Sequence, residues 1–339
     1  MHVHLDFETR SQADIKLGLA RYFAPAADPD ALCIGFAFGG EASQLWVRGM
    51  DAPQRLLDHV TRNGLIYAHN ALFEYLAWNR IMVPKYGWPE LSLHQLRDTQ
   101  AMCAQAAIPQ SLGKAAEALG LPADKQKDKR GQHLIRECCV PPFNDDPALL
   151  QELYEYCKQD VVVERELAQR LPDLSPPEQA IWEQTQRINL RGVPVDMPLV
   201  NKLALRVAER IERLELECEG ITGGVRSSQR ARIVAWACEQ GYPMGGYTAS
   251  DVRAALADPD CPDNVRRVLQ IRAAASKTST AKYKKVQQVV AGDRTLKHML
   301  TYHGAATGRF SSRGGLNVQN IARPTVDVEL ALEAVNGGR

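Results

Sequence analysis

The sequence lacks the patterns that would assign it to several specialised classes of protein. No apolar run approaches the roughly 18 residues that a membrane-spanning helix needs, and the amino terminus has no signal-peptide core. The eight cysteines are scattered without a CxxC pair, and the adjacent Cys138 and Cys139 cannot easily bridge each other. These absences favour a cytoplasmic protein with reduced thiols, in which cysteine binds no metal and no membrane is a partner.

What the sequence does contain is an uneven distribution of charge. Its 339 residues leave room for about two domains of roughly 150 residues each. Residues 1–170 carry 18 Lys and Arg against 22 Asp and Glu, whereas the remainder carries 23 against 18. The stretch Arg266–Arg313 holds eleven basic residues and one acid, Asp293. A stretch of one sign this long favours nucleic acid as a partner over a plain basic surface.

Hydrophobic periods and turn signals predict a mixed α/β region at the start of the chain. Residues 31–39 and 43–49 are predicted to form a hairpin around Gly39-Gly40. A strand is predicted at 65–70, where Asn70 is placed to cap the following helix, and a long helix begins at Asp146-Pro147. Other predicted segments are helices at 52–62 and 111–121, a strand or loop that runs into a helix at 92–107, and a charged loop at 125–131.

The proline-rich segment Pro172–Pro177 is the best candidate for a domain boundary. Beyond it the sequence becomes strongly helical. We therefore expect an α/β layer followed by a mainly helical region. The predicted helices of that region are 178–189, 198–219, 227–239, 250–257 and 264–291.

The first strand carries two acids inside an apolar run. In His2–Thr9 (HVHLDFET), three apolar side chains alternate onto one face, and Asp6 and Glu8 fall on the other. Two like charges on one face raise each other's pKa unless something positive lies between them. The pattern therefore has two interpretations, a solvent-facing edge strand or a divalent metal bound by both carboxylates.

Two helices supply further polar residues at a repeated spacing. Asn70 and Glu74 are four residues apart on one helix face, and Tyr156 and Asp160 repeat that spacing on another. Simpler interpretations are that Asn70 only caps its helix, that Tyr156 belongs to the core, and that Asp160 pairs with a nearby lysine or arginine. Taken together, four carboxylates from three elements suit two divalent ions that hold a phosphodiester and a water in line.

These motifs resemble those of a known family of nucleases. The order DxE on the first strand, then NxxFE, then YxxxD on a helix resembles the three exonuclease motifs of the DEDD family, in its tyrosine-bearing subclass. The resemblance implies a ribonuclease H-like fold and a 3′–5′ exonuclease of the proofreading type that uses two Mg²⁺ or Mn²⁺ ions. One departure is that Glu74 stands where Asp is usual, and its longer side chain is still expected to reach a metal.

The resemblance also implies a role for each matching residue. Asp6, Glu8 and Asp160 match the ligands of the metal that activates water, and Asp6 is shared with a second metal alongside Glu74. Tyr156 matches the residue that orients the attacking water or hydroxide. The residues that match contacts to the terminal nucleotides are Thr9, Asn70 and Phe73.

The second half resembles family A DNA polymerases. Residues 188–196 (INLRGVPVD) are similar to the segment that opens the polymerase region, and residues 271–285 (IRAAASKTSTAKYKK) resemble the thumb. Residues 303–324 (HGAATGRFSSRGGLNVQNIARP) are closely similar to the first palm motif. The resemblance is closest to bacteriophage-type members, which implies a bacterial cytoplasm and a phage or prophage origin.

This second resemblance implies contacts to DNA. Lysines of the thumb-like helix are expected to contact phosphates, and its small residues allow close approach to the backbone. Residues of the palm motif match contacts near the primer terminus. The predicted DNA-binding residues are Lys277, Thr280, Lys282, Lys284, Arg309, Gln319 and Asn320.

Two functions remain open from the sequence. The first is a metal-dependent exonuclease (1–172) that carries a DNA-clamping thumb (173–300) and the start of a truncated palm (301–339). The second is a non-catalytic DNA-binding subunit or fragment of a split polymerase, completed by a separate chain with palm and fingers. No DYSxxE-like or HDE stretch is present, so this chain alone is not expected to polymerise. Its expected partners are single-stranded 3′ ends and primer-template DNA.

Overall fold

The computed structural model describes residues 2–122, 130–275, 278–314 and 316–320, and at 278–280 and 320 it describes the backbone alone. These residues form two compact units, one from 2–194 with 289–320 and the other from 195–288. The division differs from the boundaries expected at 172 and 300. The reason is packing, since Leu174, Trp182 and Tyr302 all join the core of the first unit.

The first unit is built on a five-stranded mixed sheet. Its strands are β1 Val3–Arg10, β2 Asp30–Phe38, β3 Gln44–Val47, β4 Ile66–Ala68 and β5 Leu96–Asp98. The strand order is β3-β2-β1-β4-β5, with β1 and β2 antiparallel and β1, β4 and β5 parallel. The predicted hairpin is confirmed as β2 and β3. Because β1 lies in the middle of the sheet, the edge-strand interpretation of its acids is wrong.

Helices surround this sheet and confirm the mixed α/β class. Asp146 accepts hydrogen bonds from two backbone N–H groups at the start of the long helix, as its Asp-Pro start predicts. A π-helical turn at Trp78–Met82 joins two of the shorter helices. The helices are α1 Leu19–Tyr22, α2 Gln54–Thr61, α3 Leu72–Ala77, α4 Val83–Tyr86, α5 Thr99–Gln105, α6 Leu112–Ala118, α7 Gly131–Cys139, α8 Pro147–Arg170 and α9 Pro176–Arg191.

Two of the sequence predictions for the first unit need comment. The helix α7 was not predicted, and most of the charged loop expected at 125–131 lies outside the described residues. Two short antiparallel ladders also belong to the first unit. They pair β6 Val193–Pro194 with β7 Thr295–Leu296, and β8 Leu300–Thr301 with β9 Ser311–Ser312.

The regular elements among the second unit's described residues are all helices. Its helices are α10 Met197–Thr222, α11 Arg230–Glu239, α12 Ala249–Ala257, α13 Asp263–Ala275 and α14 Thr278–Val289. Leu214, Trp236 and Val268 belong to its separate apolar core. The single helix predicted at 264–291 corresponds to α13 and α14. Among the residues that the structure describes, no helix of either unit is long and apolar enough to cross a membrane.

Candidate active site

Strand β1 presents Asp6 and Glu8 to the side of the sheet that α8 covers. Asp6 lies opposite Gly35 of β2 and Glu8 lies opposite Cys33, so both acids face small residues. The register shifts between Glu8 and Thr9, and a β-bulge of this kind redirects side chains beside functional sites. Glu8 is buried and Asp6 is half-buried.

Helix α8 packs closely on β2 at Gly35. A Cβ atom at this position would lie 3.0 Å from the carbonyl oxygen of Cys157 and 3.0 Å from Cγ2 of Val161. The Cys157 thiol is also 3.6 Å from a carboxylate oxygen of Asp6. The glycine therefore allows the turn of α8 that ends at Asp160 to lie over the acids of β1.

Tyr156 is both a core residue and a wall of the site. Its ring is buried against Gly131, where an added Cβ would come within 2.2 Å of the ring. The hydroxyl is hydrogen-bonded to Asp160, and burial with the charges of Asp160 and Glu8 raises the pKa of Tyr156 well above its usual range. The hydroxyl therefore stays protonated and acts as a hydrogen-bond donor.

The cations nearest Asp160 along α8 have other contacts. Lys158 forms an ion pair with Glu155 at 2.9 Å, and Arg165 donates to the carbonyl oxygen of Glu41. Asp160 itself is 4% exposed. These contacts weaken the interpretation of Asp160 as a simple surface ion pair.

Glu74 enters the site from the first turn of α3. Its side chain is buried, and its Oε2 atom has no hydrogen-bond partner within the described residues. Burial raises the pKa of Glu74 well above its usual range, and the negative charges of Asp6 and Asp98 raise it further. A buried carboxyl in such surroundings is stable when it is protonated or when a cation lies beside it.

These side chains line one cavity of about 260 Å³. Exposed apolar side chains, Ile15, Ile135 and Val140, form part of its lining. The hydroxyl of Thr9 is hydrogen-bonded to the hydroxyl of Tyr22 at 2.8 Å. The predicted site residues that the cavity brings together are Asp6, Glu8, Thr9, Phe73, Glu74, Tyr156 and Asp160.

The donor set has the chemistry of a hard-cation site, but its ligand geometry is not formed. Carboxylate oxygens are the ligands that Mg²⁺ and Mn²⁺ prefer, and Glu74 offers an oxygen without a hydrogen-bond partner in the described part of the chain. Over those same residues, no group of three or more His, Cys, Asp or Glu side chains is arranged to hold a metal ion. Like charges repel, so a cation would have to draw these carboxylates together.

Asn70 lies outside this cavity and does not cap α3. It adopts a left-handed backbone conformation with φ of 70°, and Ala71 occupies the N-cap position without a side-chain cap. The Asn70 Oδ1 atom accepts a hydrogen bond from Arg313 at 3.2 Å, and its N–H donates to Asp98 at 3.0 Å. The capping prediction is wrong because the side chain has a distant partner.

The predicted DNA contacts lie on both units. Lys282 is half-buried and Lys284 exposed on α14 of the second unit, whereas Arg309 and Gln319 are exposed on the first unit. Three other predictions fall outside the described residues. They are Lys277 and the side chains of Thr280 and Asn320.

Several cations of Arg266–Arg313 bond to carbonyl oxygens or carboxylates of this chain instead of forming a free basic surface. The Arg266 guanidinium donates to carbonyl oxygens that follow α12, including that of Asp258 at 2.7 Å. Arg267 pairs with Glu217 at 2.6 Å, and Lys297 pairs with Asp293 at 2.8 Å. The one-sign stretch of sequence is therefore not a surface of one sign.

Sequence reasoning missed four residues that shape this region. Asp98 ends β5 and accepts hydrogen bonds from two backbone N–H groups and from Trp182, and its position just before a helix was an available signal. Gly35, Gly131 and Arg313 were not identified either. Their roles depend on contacts with residues far away in the chain, which local patterns do not reveal.

Comparison with known proteins supports a relationship to DNA polymerases. No family model matches the chain. A protein named DNA polymerase from Bacillus phage SP02 is 31% identical over 356 residues, which cover 98% of this chain and 53% of that protein.

A solved structure shares the fold. It is described as the POL domain of Pol1 from M. smegmatis in complex with DNA primer-template and dNTP, and the match has a TM-score of 0.57 at 17% identity over 96% of this chain and 52% of that one. The chain thus spans about half the length of each relative. The similarity to the phage protein confirms the predicted relationship to a DNA polymerase along nearly all of this chain's own length, whereas the solved structure shows a shared fold alone.

Proposed function

We propose that the first unit is a metal-dependent 3′–5′ exonuclease of ribonuclease H-like fold that removes 3′-terminal nucleotides from DNA, as proofreading requires. One observation carries the proposal. A single cavity is lined by the four carboxylates and the tyrosine of the three motifs, which come from a central strand and two helices. DNA is the proposed substrate because a relative is named a DNA polymerase and the structural neighbour is described in complex with primer-template DNA.

Each of these residues would have a distinct role. Asp6, Glu8 and Asp160 would hold one Mg²⁺ or Mn²⁺ ion, and Asp6 with Glu74 would hold a second. Bound there, such ions lower the pKa of a water and neutralise charge on the phosphodiester. The Tyr156 hydroxyl, kept protonated and fixed by Asp160, would orient that water by a hydrogen bond.

Apolar groups around the cavity suit the bases of a single strand. Phe73 lines the cavity, and its ring centroid lies 5.3 Å from that of Phe23. Ile15 and Val140 are 46% and 43% exposed beside it, although apolar side chains of this size are usually buried. Contacts between such side chains and the faces of unpaired bases are favourable for any base sequence, as exonuclease action requires.

The proposal is tested with a 5′-labelled single-stranded oligonucleotide and Mg²⁺ or Mn²⁺. The unsubstituted chain should shorten the oligonucleotide from its 3′ end and release nucleoside monophosphates. Asp6→Asn should remove nearly all of this activity with little change in melting temperature. Asp51→Asn, an exposed acid elsewhere on the first unit, is the matched control and should keep the parental rate. Equal digestion by the two variants would contradict the assignment.

A DNA-holding role is the second candidate function. Arg309, Phe310 and Gln319 are exposed in the segment that resembles the first palm motif. This role includes a separate chain with palm and fingers as a partner. Tight binding of primer-template DNA by an unsubstituted chain that digests no DNA would favour the second function over the first. Primer extension with dNTPs, with and without such a partner chain, then tests whether the partner completes a polymerase.

A further inference from the structure

Arg313 links its own segment of the first unit to Asn70 and Gln100, which are far away in sequence. Its Nη1 atom donates to Asn70 Oδ1 at 3.2 Å, and its Nη2 atom donates to Gln100 Oε1 at 3.0 Å. Its Nε atom donates to Thr301 Oγ1 at 2.8 Å, within its own segment. A planar guanidinium makes several such bonds in a fixed geometry, so it sets the relative position of all three acceptors.

The three acceptors are neutral, although Arg313 is a half-buried cation. Burial lowers the pKa of Arg313, and the charge of Asp98 acts in the opposite direction. A half-buried guanidinium that faces amides and a hydroxyl gains less electrostatic energy than one that faces a carboxylate. An apolar side chain could fill this position at a lower desolvation cost, so a purely space-filling role does not explain the arginine.

Asn70 is the residue on which the contact acts. Its backbone N–H is held by Asp98, its side chain by Arg313, and its carbonyl oxygen accepts from the N–H of Phe73 at 2.8 Å. Glu74 follows immediately in the first turn of α3, and both Phe73 and Glu74 line the candidate cavity. A shift of Asn70 is therefore passed directly to two residues of the site.

We propose that Arg313 is a positioning residue that ties Asn70, and with it the first turn of α3, to the segment 299–314. The inference rests on the exonuclease proposed above. The same segment carries Arg309 and Phe310, whose side chains are exposed. A displacement of this segment by bound DNA is transmitted through Arg313 to Phe73 and Glu74, so the segment that resembles a primer-binding motif adjusts the exonuclease site.

The test uses Arg313→Gln, Asn70→Ala and the double variant in the full chain. Arg313→Gln should slow digestion of single-stranded DNA about tenfold and raise the Mg²⁺ concentration at half-maximal rate, because Glu74 is misplaced. The double variant should be no slower than the slower single variant, since both changes remove the same Arg313–Asn70 contact. Arg313→Lys should restore part of the rate, because an ammonium can bond one acceptor but cannot span two.

Thr301→Val is the matched control, since it removes a contact of Arg313 that does not involve Asn70. It should keep the parental rate. Hydrogen exchange of residues 69–77 gives a readout that does not depend on activity. Arg313→Gln should increase exchange there, and Thr301→Val should not.

Additive rate effects in the double variant, or unchanged exchange at 69–77 in Arg313→Gln, would overturn the positioning role. If the parent chain digests no DNA, the proposed function fails, and the exchange comparison still decides whether Arg313 holds α3. Should Arg313→Gln fail to fold, Arg313→Lys and Asn70→Ala carry the same comparison.

Discussion

The acids of the three motifs and the cations of the basic stretch are equally conspicuous in the sequence, but the structure places them differently. The acids come from three separate elements and line a single cavity. The cations of Arg266–Arg313 separate into carbonyl contacts, ion pairs, the half-buried contact of Arg313 with Asn70, and exposed positions. The two signals therefore had unequal value as evidence of a site.

The cost of burial explains the difference. An acid placed on the covered face of a strand or mid-helix among valines must be desolvated, and a protein keeps such an acid only where something compensates for it. A long basic side chain can reach a carbonyl group or a carboxylate almost anywhere on the surface of a protein. An acid within an apolar period is therefore stronger evidence for a candidate site than a run of cations is.

Tyr156→Phe gives the largest expected effect on this comparison. It removes only the hydroxyl that Asp160 holds, and a positioned proton donor of this kind contributes about 10²–10⁴-fold to a rate. Digestion of the labelled oligonucleotide should slow by that factor at an unchanged melting temperature. Tyr154→Phe, two residues earlier on α8, is the control and should digest at the parental rate. If both variants match the parent, Tyr156 is a core residue alone.

Periodicity predicted the strands and helices that carry the acids of the first unit well. The predictions that failed did so because of contacts between residues far apart in the chain. Alternation placed Asp6 and Glu8 on one face of β1, and the Asp-Pro start of α8 is confirmed. The cap assigned to Asn70 failed because its side chain bonds Arg313, 243 residues away. Local propensity contains no information on such a partner.

The same limit applies to the basic region and to the close packing of α8. Arg267 counted as a free cation because Glu217, its partner, lies 50 residues earlier. Gly35 appeared as one small residue in an apolar strand, and its role depends on the register that sets it opposite Asp6 and under α8. Register and helix docking are tertiary properties that one sequence does not state.

The pH dependence of stability shows whether His298, within the basic stretch, is buried in the folded protein. Its side chain is buried, and burial followed by the charges of Lys297, Arg80 and Arg313 lowers its pKa from 6.5 to about 4. Above pH 6.5 the imidazole is neutral in both states and the folded state keeps its full stability. Between pH 6.5 and 4 only the unfolded chain takes up the proton, so about 3 kcal/mol of stability is lost as the pH falls.

His298→Asn removes this group and suits the left-handed backbone at that position, where φ is 57°. Urea unfolding at pH 7.5 and pH 4.5 should show a loss of stability that is about 2.5 kcal/mol smaller for the variant than for the parent. All other titrating groups are common to both proteins and cancel in the difference. Equal losses would show that His298 titrates like an exposed histidine.

Gly35→Ala tests the packing that brings the acids together, with a smaller expected effect. The new Cβ would lie 3.0 Å from the Cys157 carbonyl oxygen and from Val161, so α8 must move away from β2. Overpacking of this kind costs about 1–3 kcal/mol, which urea unfolding measures. Gly40→Ala is the control, since its Cβ meets nothing within 4 Å, and it should change stability by less than about 0.5 kcal/mol. Equal stability of the two variants would mean that α8 is not held at this distance.

The smallest expected effect separates a free cation from a paired one within the basic stretch. Lys284 is exposed on α14 and has no ion-pair partner among the described residues, whereas Arg267 on α13 is bonded twice to Glu217, at 2.6 and 2.9 Å. Each phosphate contact adds about 0.9 to the slope of log K against log salt, because it releases a condensed counterion. Lys284→Ala should therefore reduce that slope by about one for primer-template DNA. Arg267→Ala should leave the slope unchanged, because Glu217 already neutralises that charge.

Fluorescence anisotropy of a labelled duplex between low and moderate salt measures both slopes, and both variants also carry Asp6→Asn to prevent digestion. If Arg267→Ala lowers the slope as much as Lys284→Ala, the ion pair opens on DNA, and the whole basic stretch regains the role that its sequence predicted.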